Sequence, residues 1–413
     1  MDILTTHRDN TVSQQSMIES WRRQFYLLSA LLAGVAIPIS TAAENIGALL
    51  LLVALLVSPF LYPQIKSTYS KPFAIAGTTL GIALAIGIIW SSATPSDAWG
   101  FFIKMHPYYL IPFFLVIFSV PKVRNTFFAG FALGVLINVV LSCIAAWNEY
   151  YILNAVPDDW SMFRSHSYHN YFAGLLAVSI LIGLLNNKFR GIYRWVAIGF
   201  FLLINYNILF LVAGRTGQLI YLLMIGLTLI SWKPRAGIIA GVILALSTAF
   251  ILPNFSPAIQ KGVNITQSNL ISYSEGNVET PTGLRLDYYK SSIALLKEKP
   301  FFGHGTGSFV NEYRKLTGIH EGQRATNNPH NDYLKLGIEL GIIGIILLPL
   351  LLITAAWQGR HLVDPWRWML YAVLTSMGVA TLANSFFMDT ITGVAFVLLT
   401  CALLNGPQRD PTA

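Results

Sequence analysis

The chain has 413 residues, 54% of them hydrophobic and only 11% charged, with two cysteines and a formal net charge of +8. A soluble domain carries about 25% charged residues, so this composition excludes an ordinary soluble enzyme and belongs to a protein dissolved in lipid. The excess of Lys and Arg is scattered through short polar segments and forms no stripe, which excludes nucleic acid as the reading and leaves topology signals. Cys143 and Cys401 both lie in apolar runs, so neither a disulfide framework nor a metal-thiolate site is expected.

Residues 1–23 are mostly polar and read as a tail, not as a cleavable signal peptide. A spanning helix needs about 20 mostly apolar residues. Within 24–253 such runs occur near 24–41, 45–62, 72–91, 103–120, 125–147, 168–186, 194–213, 216–232 and 236–253. Three more, near 331–356, 366–385 and 387–405, fill 331–405, and 406–413 forms a second tail. The expected fold is therefore an all-α polytopic membrane protein of about 12 transmembrane helices, with both termini on one side. Placing that side in the cytoplasm puts Arg22, Arg23, Lys122, Arg124, Lys188, Arg190, Lys233 and Arg360 inside. The short loops on the other face then hold little beyond Arg164 and Arg215, as the positive-inside rule requires.

Residues 254–330 form a long polar stretch on the external face, and loops of that length tend to be functional. Within it, Leu286, Tyr289, Ile293 and Leu296 recur at spacings of three, four and three, while Asp287, Ser291 and Glu298 fall on the opposite side. The pattern predicts an amphipathic helix that either lies on the membrane surface or packs inside the loop domain. Its start follows Thr282, a candidate N-cap.

Four residues stand out as carriers of chemistry. Arg215, in Gly214-Arg215-Thr216-Gly217, either snorkels to headgroups or grips an anion bidentately at the mouth of the bundle. Arg285, in the first turn of the amphipathic helix, opposes the helix dipole. It is either an exposed loop arginine or one arm of an anion site at the helix start. His330, in Asn328-Pro329-His330-Asn331-Asp332, stands where a helix begins, and the dipole there favours the neutral, proton-accepting imidazole of a general base. Asp389, in a short external turn, either orients a histidine or an acceptor hydroxyl or caps the helix beginning at Ile391. Arg164, His166 and His169 cluster in another external loop. Arginine makes that a poor metal-ligand set, and contact with acceptor or headgroups is expected instead. The spaced glycines of 303–307 follow no strand, so a dinucleotide fingerprint is excluded in favour of a tight loop packed on the membrane face. Glu339, followed by Gly341 and Gly344, is an intramembrane carboxylate whose depth points to a structural role.

Taken together, these features resemble the O-antigen ligase and polymerase superfamily of bacterial envelope glycosyltransferases, and most closely the O-antigen ligases. The resemblance rests on span number and orientation, one large loop before the tenth span, and an ordered set of short motifs. Those motifs are Arg215-Thr216-Gly217, the Arg285 helix leading into Pro300-x-x-Gly303-x-Gly305-x-Gly307-x-Phe309, and His330-Asn331 with Leu334, Glu339, Gly341 and Gly344. It implies a GT-C-like enzyme of the bacterial inner membrane with its active site facing the periplasm. The implied reaction moves a glycan from undecaprenyl diphosphate to a hydroxyl of the lipid A–core oligosaccharide. Arg215 and Arg285 would bind the diphosphate, and His330 and Asp389 would be the catalytic residues. No metal or other cofactor is expected, and membrane lipids are the remaining partners. Direct displacement by the acceptor would invert the anomeric centre. An O-antigen polymerase or a protein O-oligosaccharyltransferase of the same superfamily is the alternative within the class. The protein-directed enzymes usually carry more sequence after the last spans. A lipid-linked glycan transporter or flippase is the alternative outside it, disfavoured because the polar candidates gather at one interface instead of near the midplane.

Overall fold

The computed structural model describes residues 3–410 other than 158 and 323, with the backbone alone for 3–19 and Ala249. The expected tails at 1–23 and 406–413 thus lie partly outside the described residues.

Helices dominate the described chain, and the β-structure present amounts to isolated bridges such as Leu362 with Gln408. Each of the apolar runs read from the sequence coincides with helix, although several are broken. The run near 103–120 becomes Pro95–Lys104, His106–Tyr109 and Ile111–Ile117, with Pro107 and Pro112 in the first turns just after the breaks. The run near 331–356 divides at Gly341 (φ +66°) into Asp332–Leu340 and Ile342–Gln358. Among the described residues, four continuous helices are long and apolar enough to cross a membrane: Pro121–Asn148, His166–Leu185, Ile192–Leu211 and Ile342–His361. A fifth candidate joins Thr41–Leu56 to Pro59–Thr68 through a bend of 85°.

Side chains at the helix starts explain where the chain turns into helix. Ser40 accepts from the Ala43 amide, Thr94 from Asp97 and Asn331 from Leu334, each satisfying a donor that the first turn leaves free. Small residues then set how the helices meet. A Cβ on Gly130 would stand 2.4 Å from the Leu31 carbonyl oxygen, and one on Gly34 would stand 2.2 Å from that of Phe127. The Ile3–Ala36 and Pro121–Asn148 helices therefore touch backbone to backbone. In lipid, where apolar burial itself drives little association, such close contact is what holds helices together. The Thr390–Leu404 helix is buried on all sides from Thr392 to Leu404, as a central element must be. It carries Val394, Phe396 and Leu398 into a core shared with Phe73, Ile111 and Leu51.

The long loop is more structured than the sequence reading provides. It contains Pro257–Ser274, Pro281–Glu298 and Phe309–Thr317 as helices. The second is the expected amphipathic helix, with two corrections. Its N-cap is Thr280, not Thr282, and the Thr280 hydroxyl accepts from the Gly283 amide at 3.1 Å. Its buried residues are Gly283, Tyr288, Ser292 and Leu295, whereas Ile293 is 45% exposed. The hydrophobic spacing read from Leu286 was one residue out of register. Tyr288 and Leu295 pack instead with Phe309, Tyr313 and Ile338 in a satellite core of the loop domain.

Candidate active site

The site is built where the loop domain meets the bundle. The Gly303–Gly307 turn stitches them together. Gly303, Gly305 and Gly307 all have positive φ (+66°, +96° and +78°). The His304 amide donates to the Ile338 carbonyl at 2.7 Å, and Gly305 donates to Glu339 at 2.9 Å. The Thr306 amide donates to Gly87 at 3.1 Å, and its hydroxyl donates to Leu84 at 2.6 Å. The helix that follows His330 is thereby fixed to the end of Pro72–Gly87.

His330 sits one residue before the Asn331 N-cap with φ +55°. Its amide donates to Asn328 Oδ1 at 2.8 Å, and its Nδ1 lies 3.2 Å from Asn384 Oδ1. The Tyr288 ring stacks near it, with centroids 6.1 Å apart and 25° between planes. The Tyr289 hydroxyl lies 3.2 Å from the His330 carbonyl oxygen and 3.3 Å from that of Leu382, one hydrogen shared between two acceptors. The imidazole pKa falls below its ordinary value. Burial is the main cause, the Asn384 contact acts against it and the Arg285 charge acts with it. His330 directly precedes the Asn331 N-cap, at the helix end where the sequence reading set it.

Arg285 is half-buried, and its charge reaches Arg215 as well as His330. Arg215 donates from Nη1 to Thr266 Oγ1 at 2.8 Å. Neither arginine has a carboxylate partner among the described residues. Two like charges held close without a counter-charge favour an anion between them. From Arg215 a mostly apolar groove of about 450 Å³ runs past Leu219 and Leu222 on one helix and Ile259, Val263 and Leu270 on Pro257–Ser274. Gly262 opens it, since a Cβ there would meet Arg215 Cγ at 3.0 Å.

Asp389 makes its side-chain hydrogen bonds with residues other than His330. It caps the Thr390–Leu404 helix through the Ile391 amide at 3.3 Å and accepts from the Tyr168 hydroxyl. Of the two roles open in the sequence, capping is the one its contacts display, and the ring partner of His330 is Asn384. The cluster at 164–169 also separates. Arg164 is buried and bonds Glu44 at 3.1 Å, the Ile37 carbonyl and the Thr41 hydroxyl. His166 pairs with Asp159 at 2.9 Å, and buried His169 pairs with Asn207 at 2.7 Å. The expected contact with acceptor or headgroups is therefore corrected for Arg164 and His169, which face inward. Glu339 is fully buried, 4.0 Å from Lys335.

Sequence reasoning missed Thr266, Asn328, Asn384 and Ser385. Thr266 had one available signal, the Ser256-Pro257 helix start, whose Ser256 hydroxyl accepts from Ile259 at 3.1 Å. Asn384-Ser385 offered only two polar residues at the external end of an apolar run.

Comparison with known proteins gives two similarities. Residues 198–349 match a family model described as O-antigen ligase. Over 255 residues the chain is 26% identical to an uncharacterized protein of Haemophilus influenzae (strain ATCC 51907 / DSM 11121 / KW20 / Rd). That match covers 59% of this chain and 62% of the relative, so the chain spans less than two thirds of that relative's length. The matched stretch, residues 198–349, carries Arg215, Arg285 and His330 alike, and over that stretch the chain is similar to the O-antigen ligase family.

Proposed function

We propose that the protein is an O-antigen ligase of the bacterial inner membrane, working on the periplasmic face. It would transfer a glycan from undecaprenyl diphosphate to a hydroxyl of the lipid A–core oligosaccharide. The observation that carries the reading is the meeting of two carboxylate-free arginines with a neutral-leaning histidine, Arg285 acting on both Arg215 and His330. Arg215 and Arg285 hold the diphosphate and stabilise the charge that builds on it as the glycosidic bond breaks. His330 takes the proton of the acceptor hydroxyl. The acceptor oxygen bonds to the anomeric carbon as the carbon–oxygen bond to the diphosphate breaks, which inverts that centre. A diphosphate leaves without a general acid, so the paired carboxylates of a glycosidase are not needed. The apolar groove beginning at Arg215 suits the polyprenyl chain of such a donor. About 12 spans, with 254–330 outside, complete the proposal.

The test is transfer in vitro with purified protein, undecaprenyl-diphosphate glycan and lipid A–core, with EDTA present. Wild type is expected to give glycan-bearing lipopolysaccharide, and His330→Ala to lose roughly 10²–10⁴-fold in kcat while still binding donor. Elongation of the donor glycan instead would identify a polymerase. Lipid movement without transfer would identify a flippase. Loss of activity in EDTA would overturn the reading in which arginines alone carry the leaving-group charge.

A further inference from the structure

Two of the polar contacts at His330 determine the orientation of an amide. The oxygen and nitrogen of an asparagine side chain are told apart only by their partners. Asn384 Oδ1 lies 3.0 Å from the Ser385 backbone nitrogen, which can only donate, and 3.2 Å from His330 Nδ1. The atom facing both must therefore be the carbonyl oxygen. An oxygen facing the ring nitrogen requires that nitrogen to carry the proton. The second asparagine closes the arrangement, since Asn328 Oδ1 accepts from the His330 amide at 2.8 Å and from the Ser385 hydroxyl at 2.8 Å. Ser385 and the two asparagines thus form one network that fixes both the backbone and the ring of His330.

We infer that Asn384 is the positioning residue of the His330 base, holding the neutral imidazole as the Nδ1–H tautomer so that Nε2 carries the basic lone pair. The inference deepens the proposed reaction and rests on His330 being its base. Asn384 does not touch substrate; it acts through the ring, as second partners of histidines do elsewhere. The other titratable and charged groups placed about His330 are Arg285, Tyr288 and Tyr289 on the Pro281–Glu298 helix, while Asp332, at the start of the following helix, accepts from the Phe387 amide. The contact made by Nδ1 is with Asn384 Oδ1, whereas Tyr288 meets the ring by stacking and the Tyr289 hydroxyl is directed to the His330 carbonyl oxygen.

The measurement is the pH dependence of kcat for glycan transfer in wild type, Asn384→Ala and Asn384→Asp, with donor KM and thermal melting in detergent alongside. Asn384→Asp keeps an acceptor for Ser385 and for Nδ1, so it preserves the turn while adding a negative charge. A carboxylate at this distance favours the imidazolium and raises its pKa by about 1–3 units, so the acid limb should move up by at least about one unit. Asn384→Ala should lose about 10- to 100-fold in kcat with donor KM unchanged. An unshifted limb in Asn384→Asp would overturn the inference, leaving Asn384 only as the residue that ends the Trp366–Ala383 helix, its backbone amide donating to the Ala380 carbonyl. So would wild-type kcat in Asn384→Ala. Full activity in His330→Ala would instead remove the base itself, an outcome separate from either Asn384 result.

Discussion

His330 occupies a left-handed backbone angle, which costs a non-glycine residue about 1–3 kcal/mol and persists only where neighbours over-determine it. Its amide bond to Asn328 and its carbonyl contact with Tyr289 supply that restraint. The ring that results titrates low. Since folding depresses its pKa below 6.5, the neutral base remains available below the ordinary histidine range, and activity should fall only as pH drops through the shifted value. Arg285→Gln removes a positive charge that favours the neutral form. Its acid limb should therefore move upward in a kcat–pH profile, with donor KM rising because one phosphate contact is lost. A downward move would contradict the arrangement of charges. At this scale the sequence revealed the chemistry but not the support. His330, Arg215 and Arg285 were legible because their residue types are unusual at an external helix end. Asn384 lies 54 residues beyond His330, and only the folding of the chain makes it a neighbour. Asp389 was legible as polar and external, yet its two open roles could be separated only by seeing Tyr168 and the Ile391 amide around it.

The glycine turn is the element on which the site depends. At Gly305 a Cβ would stand 2.2 Å from Ser91 Cα and 2.6 Å from Ser91 N, backbone atoms that cannot rotate away. Gly305→Ala should therefore destabilise by at least about 3 kcal/mol, combining left-handed strain with overpacking. Gly318 has a similar positive φ of +68° but nothing within 4 Å, so Gly318→Ala should cost only the left-handed strain of about 1–2 kcal/mol. Thermal melting of both variants in one detergent checks the difference; equal shifts would mean that the turn is not packed against Ser91. The glycines could be read as a tight loop from their spacing, whereas the partner surface on Ser91 and Gly87 could not. The Pro281–Glu298 helix shows a related limit. Its apolar residues cover more than half its circumference, and Ile293 supports one register as well as Leu295 supports the other. Tertiary packing with Phe309 and Ile338 selects the second.

For the whole molecule, hydropathy located helices well and their continuity poorly. Proline and glycine break runs whose average hydropathy looks uniform, at Met105 and Leu110 before Pro107 and Pro112 and at Gly341, while Asn207–Leu211 and Ser247–Ile251 turn π-helical without ending their helices. Orientation rests on charge alone and can be checked directly. Cys143 and Cys401 are buried, so a new surface cysteine reports by itself. Asn277→Cys, in the long loop, should react with an impermeant maleimide added to intact spheroplasts, and Arg190→Cys should react only after lysis. The reverse pattern would invert the protein and place the three site residues in the cytoplasm.

The order of the chain also sets an order in time. Arg215, Arg285 and His330 are all synthesised before Asn384 and Ser385, the residues that hold the imidazole. While a ribosome has made only the first 383 residues, the histidine exists without the acceptor for its ring proton and without the Ser385 hydroxyl that braces Asn328. Nor has the Thr390–Leu404 helix, buried on all sides at the centre of the bundle, yet entered it. A nascent chain thus carries an incomplete His330 network until its closing segment folds back.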